Sequence, residues 1–436
     1  MEAMLSEFDY FTPTVTESTI TLQYVDEIGT SNPMNSEIGN PLCELEFKIP
    51  ATADLYRDLA NTVLMLKCKL TLADGSRIPD DIPVAPTNLF AHSLWANISL
   101  NLNGKELQEK DWLYAHRAML TTLLSYDKDV QETRCWLEAF SKDEAGRMDE
   151  TTIGAWANSG FMTRKGLAEG SRIFTMYMRP HLDLFEQSLC IPPNCQMTIK
   201  FTPQTTDFAL MAHYDDNRPL IDGLKICLMD AQLLVMTKRI TPELVLAQKE
   251  MLGETNLRFP LNRVIMQRYG IARGFTSVGI PLLFTGKLPK RIFITFAENT
   301  AVTGVRDKNP FNFQNFGMKA VVLYINGMQQ GYKDLNYTNG DFQSAYVGLM
   351  RAIGIDVADK SVNITTDDYA GGYAIYGFLI APGPIDATVQ SVANSTGTIT
   401  VRVTADKPLT TNIDMIVYAE LSGVMELDKV GVPTIM

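Results

Sequence analysis

Cysteine, histidine and positive charge are all scarce in this chain, and no hydrophobic run is long. Six cysteines (Cys43, Cys68, Cys135, Cys190, Cys195 and Cys227) are scattered over the first 227 of 436 residues and absent beyond them. That is too thin a set for a disulfide framework, so reduced thiols are expected. None of the four histidines, His92, His116, His181 and His213, lies one helical turn from another with an acid between them, which excludes a zinc-protease motif. The run CIPPNC at 190–195 brings two thiols close but has no second ligand pair, and it reads as a turn. Lys and Arg total 38 against 50 Asp and Glu, a net charge of −12. Neutralising phosphates needs clustered cations, so strong direct nucleic-acid binding is not expected. No stretch approaches the ~18 apolar residues of a spanning helix. The opening MEAMLSEFDYF lacks a basic region ahead of an apolar core, so neither membrane insertion nor secretion is expected.

Catalytic patterns are missing as well. The segment GIPLLFTGK at 279–287 has the wrong glycine spacing for a phosphate loop and reads as strand. The acid pairs Asp80-Asp81, Asp215-Asp216 and Asp367-Asp368 lie in turn-like sequence, where adjacent acids are solvated rather than opposed across a cleft. His116 falls on a predicted helix over 112–125, with Leu113, Leu120 and Leu124 at helical spacing, and reads as structural. No enzyme, cofactor or metal is expected.

What is present is an ordinary globular balance, 46% hydrophobic and 20% charged, in a chain long enough for two domains of roughly 200 residues. Alternating strand-like runs dominate, at 43–49, 62–73, 97–107, 172–178, 196–201, 274–284, 291–296, 320–325, 373–380, 398–404 and 414–419. Asn103-Gly104 and Asn326-Gly327 mark tight hairpins, because a type I′ turn needs positive φ at both central residues. The class is all-β with a few short helices in connections. One helix signal is strong: Thr241 as cap, Pro242 at the first helical position and Glu243 in the first turn, running to about Met251. No second long helix is evident.

A weak repeat argues for duplication. The Asn-Gly turns start at 103 and 326, and QMTIKF and DMIVYA start at 196 and 414, offsets of 223 and 218. The expected organisation is an N-terminal arm at 1–40, a first sandwich at 41–222, a connection with a short helix at 223–255, and a second sandwich with the C-terminal tail at 256–436. The apolar run at 224–236 is read as bridging the halves. The polar segment 127–170, with Trp136 and Trp156 set among charges, is a loop long enough to imply a role. The excursion DKNPFNFQNFG has too few cations for a nucleic-acid groove. Its Asn309, Pro310, Phe311, Asn312, Phe313 and Phe316, with Trp136 and Trp156, are therefore candidates for loop packing or subunit contact.

Several long blocks carry a family resemblance. GKLPKR, KNPFNFQNFG, LYINGMQ, DDYAGGYAIYGF and IVYAELSGVMELD follow in order in the second half. In the first half stand PTNLFAHSLWANISLNLNGKEL, AHRAMLTTLLSY and RPHLDLFEQSLCIPPNCQMTIKF. The chain resembles the hexon-like major capsid proteins of polintons, Mavericks and adintoviruses, of the adenovirus-like capsid lineage, over most of 42–430. The resemblance implies a double jelly roll, two eight-stranded sandwiches in one chain. It also implies a homotrimeric, pseudo-hexameric capsomer that tiles an icosahedral shell around double-stranded DNA, with penton and minor capsid proteins as further partners and the virion as its location. Two other readings stand beside it: a carbohydrate-binding β-sandwich using Trp136 and Trp156, and a domesticated capsid-like protein of an integrated element.

Overall fold

In the computed structural model, residues 19–35, 37, 39–108, 111–154, 157–212, 223–355, 361–380 and 396–435 are described. Trp156, His213, Asp215, Asp216 and residues 1–18 of the expected arm lie outside them. The chain is mostly sheet, 43% strand against 21% helix, and it is a double jelly roll.

The first eight sandwich strands are β1 (Ile20–Gly29), β2 (Leu45–Ile49), β3 (Leu55–Thr71), β4 (Trp95–Leu102), β5 (Lys105–Glu106), β6 (Phe174–Met178), β7 (Met197–Pro203) and β8 (Lys225–Ile240). They form two antiparallel sheets, β1-β8-β3-β6 and β2-β7-β4-β5. The second eight are β9 (Leu257–Ile271), β10 (Ser277–Lys287), β11 (Arg291–Glu298), β12 (Met318–Ile325), β13 (Met328–Tyr332), β14 (Ile375–Leu379), β15 (Thr396–Ala405) and β16 (Ile413–Leu427). Their sheets run β9-β16-β11-β14 and β10-β15-β12-β13. Strand for strand the two orders are the same, which is the duplication the sequence hinted at. Alternation supplies the cores: Leu45, Phe47 and Ile49 of β2 face Met197, Ile199 and Phe201 of β7 inside one cluster, with the intervening side chains turned outward.

Both Asn-Gly turns adopt the expected backbone, with φ of 48° and 85° at Asn103 and Gly104 and 50° and 83° at Asn326 and Gly327. The Asn103 N–H donates to the Gln196 carbonyl at 2.9 Å, and its Oδ1 accepts from the Gln196 N–H at 2.8 Å. Asn326 makes the same pair with Thr398, at 3.0 and 2.9 Å. This fixes β15 as the counterpart of β7. The 414–419 run lies instead in β16, the counterpart of β8, so the second repeat marker paired strands that are not equivalent.

Other expectations shift too. The 224–236 run is not a bridge: β8 pairs with β1 on one side and β3 on the other and is central to the first sandwich. Within the expected arm, Ile20–Gly29 is the edge strand of that sheet. The 127–170 segment is only partly loop. It holds a short helix at Lys128–Glu132, a 3-10 turn at Arg134–Glu138 and α2 (Ser159–Ala168). The predicted helix at 112–125 is α1 (Tyr114–Ser125), and α3 (Pro242–Glu254) follows Thr241, whose hydroxyl makes no capping bond. A further long helix, α4 (Gln343–Ile353), begins after Phe342, which offers no capping side chain, yet buries Ala345, Leu349 and Ala352 on one face.

That helix explains a sequence feature. β11, β14 and β16 are buried almost continuously rather than alternately, because α1 and α4 share a core with their outer faces. Strands covered on both sides read as unbroken apolar runs.

Candidate functional site

The 309–313 segment, part of the connection between β11 and β12, is plugged into the first half of the chain. Asn309 folds back into an Asx turn, its Oδ1 accepting the Phe311 N–H at 3.0 Å. Its Nδ2 reaches Asp143 Oδ2 at 3.0 Å and the Met148 carbonyl at 3.2 Å, and its N–H donates to Asp149 Oδ1 at 2.8 Å. Asn312 Nδ2 holds the other Asp149 oxygen at 2.9 Å, and burial raises the Asp149 carboxyl above its ordinary value. Phe311 lies between His116 and Phe208 of the first half, ring centroids 5.4 and 6.1 Å away. His116 Nε2 approaches the Pro310 carbonyl at 3.3 Å, and burial pushes this imidazole down to about 4, so it is neutral and structural. Phe313 is fully buried and joins 372–374 through its backbone.

Asp143 is the centre of this junction. Its carboxylate meets Arg164 at 2.9 Å, with both side chains fully buried, and accepts from Asn158 at 2.8 Å and Asn88 at 3.2 Å. Its carbonyl accepts from the Tyr373 hydroxyl at 2.8 Å. Arg164 also donates to the Pro86 and Ser141 carbonyls. A buried ion pair survives only when its remaining donors and acceptors are satisfied, and here amides and carbonyls from both halves do so.

Of the candidates, then, Asn309, Pro310, Phe311 and Phe313 are buried within one chain, with Asn312 beside them. Phe316 is half-buried on the rim of an open groove of about 560 Å³ that also touches Arg147, Asp149, Glu150, Gln314 and Asn315. Trp136 is exposed on the 3-10 turn, far from that segment in sequence. Sequence reasoning missed Asp143 and Arg164. Both sit in the polar 127–170 segment, where nothing local distinguishes a buried charge from a solvated one.

The outer flank is different in kind. β1 is exposed along most of its length, with Leu22 44% and Val25 49% accessible and Ile20 and Tyr24 also open. α3 continues that flank, since the Thr241 N–H donates to the Thr19 carbonyl at 2.9 Å. It buries none of its residues and leaves Leu246 and Met251 exposed. β9, the equivalent of β1, is covered. Phe259 and Leu261 join the first sandwich's core, and the Val264 N–H donates to Asp183 of the first half at 3.2 Å. β9 therefore packs against a neighbouring sandwich, whereas β1 buries none of its residues fully among the described residues.

Among the described residues, no group of three or more His, Cys, Asp or Glu is placed to hold a metal, and no helix is long and apolar enough to cross a membrane. All six cysteines are free.

No protein-family model matches the chain. An uncharacterized protein of Caenorhabditis elegans is 24% identical over 406 residues, covering 89% of this chain and 92% of that one. Among solved structures, the chain is similar to that of the Sputnik virophage, with a TM-score of 0.64 and 12% identity over 99% of this chain and 91% of the other. It is similar to the PBCV-1 virus capsid, with a TM-score of 0.58 and 13% identity over 98% and 99%. The mavirus major capsid protein matches with a TM-score of 0.53 and 12% identity over 99% and 95%. These neighbours share the double jelly-roll fold.

Proposed function

We propose that the chain is a viral major capsid protein of the polinton and adintovirus type. Three copies form a pseudo-hexameric capsomer, and capsomers tile an icosahedral shell around double-stranded DNA. The observation that carries this is the unequal cover of equivalent strands: β9 packs against the first sandwich, and β1 is left mostly exposed by the described residues. If β1 meets the second sandwich of another copy as β9 meets the first sandwich of its own, the contact is head-to-tail. A repeated step of about a sixth of a turn closes after three chains. This role needs no catalytic centre, and the charge of −12 leaves genome neutralisation to other components. The names of the similar structures support the same reading, as does the ordered resemblance of sequence blocks. Penton and minor capsid proteins are the further partners, and the virion is the location.

We assign the contact residues to this flank. Ile20, Leu22, Tyr24 and Val25, continued by Leu246 and Met251, present apolar surface of the kind a subunit interface of about 800 Å² per partner uses. A 13-residue helix with no buried side chain is at the margin of stability alone, and a neighbouring subunit would supply its missing cover. Native mass measurement tests this: wild type is expected as a trimer, and Leu22→Glu with Val25→Glu as a folded monomer, since exposed positions barely affect folding. A wild type that stays monomeric under all assembly conditions sinks the capsid reading. Trimers indifferent to both charges sink only the interface. Closed shells or hexagonal arrays under the electron microscope are the expected assembled product.

A further inference from the structure

Two of the four histidines are stacked on each other inside the first half, and the assembly reading makes no use of them. His92, on the one-turn helix Phe90–Ser93, and His181, just after β6, are 0% and 2% exposed, with ring centroids 4.9 Å apart and 26° between planes. Each ring faces a carboxylate. His92 Nε2 lies 3.6 Å from Glu138 Oε2, and His181 Nδ1 lies 3.3 Å from Glu186 Oε1. The Tyr114 hydroxyl lies 2.9 Å from His92 Nδ1 and accepts the His181 backbone N–H at 3.2 Å. Three buried atoms of the group, His92 Nε2, His181 Nε2 and Glu138 Oε2, have no hydrogen-bond partner. Unsatisfied buried polar atoms in a native core call for an explanation such as a proton-linked role.

The remaining charges around the pair are accounted for. Arg179 holds Glu186 at 3.2 Å, Arg117 of α1 is paired with Asp183 at 2.7 Å, and Arg134 sits 4.3 Å over the Tyr126 ring. Burial pushes the Cys135 thiol up to about 12, and it raises the Tyr114 and Tyr126 phenols, so these three stay neutral. Burial alone would raise Glu186 and Glu138. The imidazoles, helped by Arg179 and Arg117 at Glu186 and by Arg134 at Glu138, outweigh it and bring both below the usual range, Glu186 to about 2. Burial lowers His92 despite Glu138, and His181 adds to the lowering.

Glu138 ends the 3-10 turn Arg134–Glu138, whose outer side carries the exposed Trp136 and Leu137. The turn thus meets the sandwich through a carboxylate that faces a histidine at 3.6 Å without a hydrogen bond.

We propose that the His92–His181 stack is an acid-operated catch: it holds the Trp136 turn against the first sandwich at neutral pH and releases it on mild acidification. Uncharged, the rings stack, and the Tyr114 hydroxyl lies between the His92 ring and the His181 backbone N–H. Burial, to which the adjoining ring adds, disfavours the charged His92 imidazole in the closed form, so the closed form takes up fewer protons than the open one. Once open, the His92 ring charges near the ordinary histidine value of about 6.5. Where the open state binds more protons, stability falls as pH falls. The depressed His92 therefore contributes fully above about 6.5 and loses its contribution as pH drops through its lower, folded value. The carboxylates titrate below this window, since both are shifted down. The catch does not depend on the assembly reading.

Hydrogen–deuterium exchange of the full chain, corrected for the intrinsic pH dependence, tests it at about pH 7.5 and about pH 5.5. Peptides covering 130–140 and 178–188 are expected to lose protection by up to about tenfold in acid, one shifted proton being worth that factor per pH unit below about 6.5. Peptides from β11 should not change. His92→Asn, which cannot titrate, should bring the difference below about twofold; His92→Gln is read in the same way if the first variant does not fold. Flat wild-type exchange overturns the catch, and so does an undiminished acid response in whichever variant folds.

Discussion

The two sandwiches share a strand order and even the same pair of bonds at their Asn-Gly turns, yet their long connections are held by opposite chemistry. In the first, the connection is fastened by buried charge and amides around Asp143 and Arg164. In the second, it is fastened by rings. Tyr337 stacks on Phe342 at 5.2 Å, Phe342 on Tyr369 at 6.0 Å, and Tyr369 meets Tyr376 edge-on at 6.3 Å. Two hydroxyl bonds add to this cluster, 2.7 Å between the Tyr337 and Tyr376 hydroxyls and 3.1 Å from the Tyr369 hydroxyl to the Ile375 carbonyl. A sandwich specifies its sheets by alternation and leaves its connections free, so duplicated frameworks can acquire unrelated ways of ordering their loops. The polar solution is directional and fails as a unit, whereas the aromatic one is spread over many weak contacts.

The largest effect is expected where the two solutions meet. Phe311 and Phe313 come from the second half, but Phe311 fills a space between His116 and Phe208 of the first. Each Phe→Ala change in a core costs about 3–5 kcal/mol, so Phe311→Ala with Phe313→Ala should remove most of a stability of about 5–15 kcal/mol. Chemical denaturation should show both halves destabilised together. A wild-type midpoint would break the claim that this segment ties them. Next in size is a paired test of the two fastenings. Asp143→Ala leaves the Arg164 guanidinium buried without a counter-charge and should cost about 3–5 kcal/mol. Tyr376→Phe removes one hydroxyl bond and should cost only about 0.5–1.5 kcal/mol. Equal midpoints for these two variants would erase the distinction between polar and aromatic caps.

The framework was legible because periodicity reports burial directly. Alternation located strands such as β2, β7, β12 and β15, and the Asn-Gly pairs located their hairpins, since few dipeptides tolerate positive φ at both positions. The resemblance of ordered blocks supplied the double jelly roll. What stayed hidden depends on partners distant in sequence. β8 reads as an apolar bridge because its neighbours, β1 and β3, lie on either side of it about 200 residues away and over 150 residues away in the chain. The Asp143 junction was invisible for the same reason: Asn309, its most distant amide, is 166 positions on. The NPFNF candidates were found by composition, but only the fold reveals that most of them face inward. α4 was missed for want of a capping residue, although its Ala345, Leu349 and Ala352 keep helical spacing.

The smallest expected effect asks whether the two Asn-Gly turns are as alike as their geometry. Asn103→Ala and Asn326→Ala each lose one side-chain bond to the neighbouring strand and place alanine at a φ near 50°, a strain of about 1–2 kcal/mol. Only Asn103 has a further task. Its Nδ2 donates to the Gly431 carbonyl at 2.8 Å, holding the C-terminal turn that leads to the short strand Pro433–Ile435, itself paired with Met425–Leu427 of β16. The first turn thus fastens the chain end that belongs to the second sandwich. Asn103→Ala should therefore be the more destabilising by about 0.5–1.5 kcal/mol, and proteolysis should cut its 428–435 segment faster than in Asn326→Ala. Identical denaturation midpoints and identical cleavage would mean that the bond adds nothing and that the two turns are equivalent in energy as well as in shape.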